Sequence, residues 1–411
     1  MVLGLCVIFT LLAVFPPFGV PGFAFALGGA AVLVGFGLLP LAVAAVGVAR
    51  SVDVCCFLSG MMLLAELCRQ EGVFATIAGH AARLAGGSAS RLFGLVFLVG
   101  ILVTALLSND ATVVVLTPAV AAIARAAGME KPAPLLFACA FVANAGSFVL
   151  PIANPANLVL YGQQMPSLLP WLAHYSLPSA GALLMTYLGL RLTQRAALAA
   201  PMAPVIEAPR LSLPGVMAAL GTCGTAALML AWSASGRPFG PVTLAAALGT
   251  ALLVWLRSEM PPGRTLRHIA WGVLPLVVGL FVMVTAVDRT GLTGTLAARL
   301  APLATAAPLR AGAAVLGLVT MASNIANNLP VGLLTGQVLA ATALPHQVRE
   351  AALIGVDLGP NFSVTGSLAT ILWLTALKRD GYAITSGQFL RIGAIITPPA
   401  LALALAGLAL S

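Results

Sequence analysis

Carboxamides, hydroxyls and two carboxyls gather in four short runs of an otherwise apolar chain. The runs are Ser108, Asn109, Asp110 and Thr112; Asn144, Ser147, Asn154 and Asn157; Ser323, Asn324, Asn327 and Asn328; and Asp357, Asn361, Ser363, Thr365 and Ser367. Each lies in or beside stretches apolar enough for a bilayer core, where a polar side chain is costly and needs a partner or a function. With unwound backbone carbonyls and the positive ends of half-helices, such groups can hold a small solute or a coupling ion. No Lys or Arg belongs to any run. A carrier of dicarboxylate, sulfate or phosphate can use Arg for bidentate recognition, although helix N-termini and sodium ions can replace it. A neutral, hydroxyl-bearing solute fits this donor set slightly better. Asp110 and Asp357 are then the natural proton carriers, because a carboxyl taken out of water can exchange its proton against substrate. For any single Asn or Ser, helix packing or capping of a broken end weighs about evenly against a ligand role. Four runs at matching offsets outweigh that reading.

The elements that must carry these runs are membrane helices. The 411 residues are 60% hydrophobic and 8% charged, with a mean hydropathy of +1.06, which excludes an ordinary globular surface. A straight crossing needs roughly 20 largely apolar residues. Spans are expected at 1–15, 22–39 and 53–68, then an amphipathic connector with Arg69, His80 and Arg83. Two short arms, 91–107 and 112–126, flank Ser108-Asn109-Asp110, predicting a re-entrant hairpin over 91–126 with Arg91 and Arg125 at its base. The stretch 133–162 is cut by Pro151 and Pro155, which break a helix. A span at 177–194 follows, closing a first repeat at 1–195.

After a Pro-rich linker at 196–212 the plan recurs in a second repeat, 213–411. Spans are expected at 213–232, 239–256 and 269–287, a hairpin at 310–343, a broken helix at 351–377 and a last span at 388–410. Ser108 to Asn154 is 46 residues and Ser323 to Gly366 is 43, at an offset of 215. Paired interrupted segments in matching positions point to the binding site of a secondary transporter. The fold class expected is an all-α polytopic membrane protein: two inverted-topology repeats, about ten transmembrane helices, two re-entrant hairpins and two broken helices. Arg91, Arg125, Lys131, Arg191, Arg195, Arg257, Arg264, Arg267, Lys378 and Arg379 fall on one side, which should be cytoplasmic, against Arg50, Arg237, Arg289, Arg299, Arg310 and Arg349 on the other. Gln163 to Ser176 would face outward, as would both termini.

Other chemistries find little support. The net charge of +9 follows topology rather than one basic face, so no nucleic-acid partner is expected. The N-terminal run has no basic n-region or cleavage site and reads as a retained span. All six cysteines lie in apolar stretches without zinc-site spacing, so no metal and no cofactor are expected; Cys55 and Cys56 read as small apolar residues. His80, His174, His268 and His346 read as surface residues in connectors. Asp53 and Glu66 are weaker proton-carrier candidates and read first as snorkelling ends of one span, and Asp288–Arg289 reads as an interfacial ion pair. No phosphate-binding loop, HExxH motif or nucleophile–base pair occurs, so the chain is not read as an enzyme, and its energy must come from an ion gradient or a separate ATPase.

The segments LSNDATVVVLTP (107–118), FVANAGSFVLPIANPANLV (141–159), SNIANNLP (323–330) and DLGPNFSVTGSLATILWL (357–374) resemble arsenite permeases of the ArsB type within the ion transporter superfamily. GMMLLAEL (60–67) is similar too, and the likeness runs over the full chain in order. The resemblance implies a plasma (inner) membrane antiporter. Such an antiporter expels arsenite or antimonite as the neutral trihydroxide against protons by elevator-type movement, in some cases docked to a cytoplasmic ATPase. A homodimer is one admissible assembly. Carried over by motif, Asn109, Asn154, Asn157, Asn327, Asn328, Thr365 and Ser367 would line the site, with Asp110 and Asp357 coupling to protons. The alternative is a sodium- or proton-coupled symporter of small anions, with sodium held by Ser108, Asn109, Asn154, Asn324 and Thr365. A non-transporting scaffold or sensor is a third reading, disfavoured because packing alone does not require matched interruptions.

Overall fold

The computed structural model describes residues 1–204 and 209–411; of the linker expected at 196–212, residues 205–208 lie outside the described residues. In chain order the main helices of the first half are α1 (Val2–Val14), α2 (Gly22–Gly35), α3 (Leu41–Gln70), α4 (Val73–Ala85), α5 (Ala89–Leu106), α6 (Thr117–Ala126), α7 (Ala133–Ala145), α8 (Pro155–Tyr161) and α9 (Leu168–Thr193). The second half has α10 (Leu213–Trp232), α11 (Gly240–Trp255), α12 (Pro262–His268), α13 (Val273–Arg289), α14 (Leu292–Ala306), α15 (Pro308–Ala326), α16 (Asn328–Ala340), α17 (His346–Asp357), α18 (Leu368–Arg379) and α19 (Ser386–Leu410). Local chemistry sets many boundaries. Ser88 and Ser212 accept from the N–H groups of Arg91 and Gly215, capping α5 and α10. Thr385 and Gln388 form a capping box at α19.

Among the described residues five helices are long and apolar enough to cross a membrane, or six if α12 and α13, bent by 43°, form one span. α1, α2, α7 and α11 are apolar but only 13 to 16 residues long, short of a straight crossing by themselves. Leu184, Leu188 and Leu192 on α9, and Leu248 and Leu252 on α11, are exposed at helical spacing. Water would penalise such faces; lipid does not. The chain is a multi-pass membrane protein.

The helices sort into two bundles. In one, α3 packs on α11 and α13, α2 on α13 and α1, and α10 on α11. In the other, α9 packs on α19, α15 on α17, α5 on α7 and α8 on α16. The amphipathic connector is a helix, α4, lying against α5 and α6. Both ends of residues 88–127 meet one segment: Ser88 pairs with Pro201, and Ala127 O accepts from Ala203 N–H at 2.9 Å. The chain therefore enters and leaves α5–α6 on the same side.

Several local expectations are corrected. The third span begins at Leu41, because Arg50 and Asp53 are accommodated inside a 30-residue helix. Asp53 is no interfacial end: its Oδ1 accepts from Gly240 N–H at 2.6 Å, supplying the N-terminus of α11 with an acceptor its own sequence lacks. Glu66 is buried rather than snorkelling and holds Arg69 Nε (2.7 Å) and Gln70 Nε2 (2.6 Å). Asp288 takes its hydrogen bond from the Thr293 hydroxyl, five residues on, rather than an ion pair with Arg289. The four histidines all lie in helices. His80, His268 and His346 are exposed, but His174 is partly buried on α9.

Candidate functional site

Four interruptions of helical backbone meet in the second bundle. The first follows α5: Ser108 is fully extended and caps the turn Asn109–Ala111, and a π-helical turn at Thr112–Leu116 leads into α6. π-Turns of this kind recur at functional sites. The Thr104 and Thr112 hydroxyls meet at 2.7 Å across the break. The second separates α7 from α8, whose N-cap is Asn154, accepting from Ala156 N–H at 3.0 Å. The third is Asn327, between α15 and α16, at φ 73° and ψ 149°; this backbone region is populated almost entirely by Gly. The fourth separates α17 from α18 with two short 3-10 turns, Gly359–Phe362 and Val364–Gly366.

Hydrogen bonds join the interruptions in pairs. Asn109 N–H donates to Ala153 O at 3.0 Å, tying the first break to the second. The third and fourth are tied more heavily. Asn324 Nδ2 donates to Gly359 O (2.9 Å), its Oδ1 accepts from Ser363 (2.6 Å), and its carbonyl accepts from Thr365 (2.8 Å). Asn327 Nδ2 donates to Thr365 O at 3.3 Å. Three bonds then cross between halves: Asn154 Nδ2 to Asp357 Oδ1 at 2.7 Å, Asn144 Nδ2 to Asn361 Oδ1 at 3.0 Å, and Asn361 Nδ2 to Phe141 O at 3.0 Å. The polar runs singled out in the sequence thus form one connected network.

Within it the residues differ in how committed they are. Asn157 spends its amide on the break carbonyls of Ser147, Leu150 and Pro151. Asn328 opens α16 and Ser367 precedes α18, both buried. Asp357 is wholly buried with Oδ2 unpartnered, and Asn144 Oδ1, Asn157 Oδ1 and Ser323 Oγ are unpartnered too. Buried polar atoms usually find partners, so the network retains free acceptors. Among the described residues the ion pairs are Arg69–Glu66, His174–Glu350 and Arg379–Asp380; none reaches Asp110 or Asp357.

Two cavities flank the network at the seam between bundles. One, of about 250 Å³, is bounded by α1, α2 and α13 on one side and by Asn327, Leu329 and Leu368 on the other. The second, of about 90 Å³, brings Ser108 and Asp110 opposite Met61 and Glu66 of α3. Neither is lined by Lys or Arg among the described residues.

A family model described as citrate transporter (CitMHS) matches residues 6–358. An arsenical pump membrane protein of Escherichia coli is 30% identical over 369 residues, 85% of this chain and 84% of that protein. One of Yersinia enterocolitica is 30% identical over 362 residues, with the same shares covered. The chain belongs to the ArsB-type arsenical pump family of the ion transporter superfamily. Solved structures agree on the fold. The YdaH transporter of Alcanivorax borkumensis superposes with a TM-score of 0.59 at 16% identity, covering 89% of this chain and 86% of that one. Neisseria gonorrhoeae MtrF, described among antimetabolite efflux pumps, gives 0.53 at 14% identity, covering 90% and 83%.

In this ArsB-type chain the matched region ends just past Asp357, so the fourth interruption straddles its edge. Two residues at the network, Thr104 and Gly393, escape sequence reasoning, and a third, Glu66, is ranked too low by it. Thr104 lies one helical turn before Ser108, and only that spacing marks it. Glu66 borders the same cavity as Asp110, yet its position in the chain reads as a helix end. Gly393 on α19 lets that helix press on the fourth interruption, since a Cβ there would fall 2.7 Å from Phe362 O; nothing near it in sequence marks the contact.

Proposed function

We propose that this membrane transporter exports arsenite and antimonite, as the neutral trihydroxides, in exchange for protons. The observation that carries the reading is a buried network of carboxamides, hydroxyls and the Asp357 carboxyl, with Asp110 on the adjoining cavity, and no Lys or Arg in that network or on either cavity wall among the described residues. Trihydroxides offer donors and acceptors but no charge, so amides and hydroxyls suffice to bind them, and an unopposed guanidinium would be wasted. The relatives above, arsenical pump membrane proteins by name, point the same way.

In this mechanism Asn109, Asn154, Asn327, Asn328, Thr365 and Ser367 hold the solute, while Asn157 secures the broken backbone behind them. Asp110 borders the seam cavity and Asp357 sits deeper, on Asn154. Each gains a proton on one side of the membrane and gives it up on the other as the solute passes. The second bundle, carrying all four interruptions, moves against the first as an elevator, and two inverted repeats, 1–195 and 213–411, supply the alternation of access. The membrane is the inner membrane, and Arg125, Arg264 and Lys378 face the cytoplasm.

Inverted vesicles containing the full chain test this. An imposed pH gradient drives arsenite uptake in the native protein, and Asp110→Asn or Asp357→Asn abolishes it while leaving the protein folded. Undiminished uptake in both variants refutes their role as proton carriers. A second reading, a sodium-coupled symporter of small anions, draws on the oxygens that Asn324, Ser363 and Thr365 bring together and on the citrate description of the matched family model. Sodium-dependent uptake that ignores the pH gradient would favour it.

A further inference from the structure

Outside the polar network, at the opposite end of α17 from Asp357, a second set of ligating groups meets near the starts of α9 and α17. His346 is the first residue of α17 and Glu350 lies four further on, so both project from one face of that helix. His174 reaches them from α9: its Nδ1 is 3.0 Å from Glu350 Oε1. One ligand atom from each of the three residues lies within 4.8 Å of the other two, and the imidazole rings are 5.1 Å apart, tilted by 55°.

Two features separate this set from an ordinary surface ion pair. The Glu350 side chain is only 5% exposed, yet its Oε2 has no hydrogen-bond partner. The neighbouring cation does not serve it, because the Arg349 guanidinium is turned to Gln164 Oε1 (2.7 Å) and Leu339 O (3.3 Å). A buried carboxylate with one oxygen on His174, the other unpartnered and a second imidazole alongside offers a ligand set that neither Lys nor Arg takes up among the described residues.

We propose that His174, His346 and Glu350 bind a divalent transition metal of the zinc class. Zinc takes imidazole nitrogen and carboxylate oxygen at about 2.0–2.2 Å, so neighbouring ligands of a tetrahedral ion stand about 3.3 Å apart. The His174–Glu350 pair already meets that spacing, and the exposed His346 ring closes the remainder by a side-chain rotation. Three protein ligands leave the fourth position to water, which reaches the site past His346. The ion ties α9 of the first half to α17 of the second, on the face that the distribution of basic residues places outside. The binding itself does not depend on the solute transported.

The test uses the purified, tag-free full chain in detergent, stripped with chelator and titrated with Co²⁺. The expected result is one equivalent bound with the intense visible d–d bands of a tetrahedral site, displaced by Zn²⁺, together with a rise in Tm when Zn²⁺ is added. His174→Ala and His346→Ala each weaken binding tenfold or more and remove the Tm rise. Glu350→Gln, which keeps shape and a hydrogen bond to His174, weakens binding without unfolding the chain. Absence of binding in the native protein overturns the proposal and leaves a His174–Glu350 hydrogen bond only. Equal binding in all three variants, or thiolate charge-transfer bands from the free cysteines, overturns it as well.

Discussion

Removing the Asn154 carboxamide asks whether the two halves are joined energetically as well as geometrically. One side chain makes two bonds: Oδ1 accepts from Ala156 N–H at 3.0 Å and Nδ2 donates to Asp357 Oδ1 at 2.7 Å. Truncation to Ala removes a helix N-cap, about 1 kcal/mol, and a buried bond between helices. Such bonds inside membranes average about 0.6 kcal/mol and reach about 1.7, because the competing state finds other partners. Asp357 is fully buried and its other oxygen has none, which puts this bond near the top of that range. Asn154→Ala should therefore cost about 2.5 kcal/mol. A double-mutant cycle with Asp357→Ala isolates the bond, since the cap is lost in both arms of the cycle and cancels. Unfolding by SDS in mixed micelles, followed by Trp fluorescence, measures each corner. The coupling should be about 1–2 kcal/mol; a value below about 0.5 kcal/mol, the scatter of independent sites, refutes the claim that this contact holds the halves together.

Backbone demands give further tests. Asn327→Gly and Asn327→Ala both lose the same side-chain bonds, but Ala keeps the unfavourable φ of 73°. The Gly variant should be more stable by about 1 kcal/mol after its own entropic penalty; equal stabilities in an SDS titration would contradict this. Gly393→Ala drives a methyl into the backbone of Asn361 and Phe362 and should cost about 1–3 kcal/mol. Gly249→Ala on α11 meets nothing within 4 Å and should stabilise by about 0.5–1 kcal/mol, the helix preference alone. A shared direction of change for these two glycines would show that packing does not distinguish them.

The interruptions were legible because breaking a helix leaves marks in covalent chemistry: Pro151 and Pro155 remove backbone donors, and Ser108, Asn154 and Asn327 are residue types that cap exposed N–H groups. The linking of those interruptions was not legible. Nothing near Asp357 in sequence specifies that its partner is Asn154, 203 residues away, since that bond is set by how two bundled halves dock. Likewise α3 runs to 30 residues although Arg50 and Asp53 read as an end. Asp53 is kept inside by an acceptor-poor helix start on α11, a contact of tertiary origin. His174 reads as a connector residue because the next span is expected only from 177, yet α9 opens at Leu168 and carries it within one continuous helix.

The seam between bundles has a consequence of its own. Among the described residues, side-chain hydrogen bonds stay within one bundle or the other or run to the connecting helices, apart from Ser233 Oγ at its rim, which accepts from Leu168 N–H at 3.1 Å. The polar bonds among the four interruptions all belong to a single bundle. A displacement along the seam would exchange dispersion contacts and, among the described side-chain bonds, break only the one between Leu168 and Ser233. Friction at such a boundary is set by the fit of side-chain surfaces, so widening a single alanine on either face should act as a brake long before it acts as a denaturant.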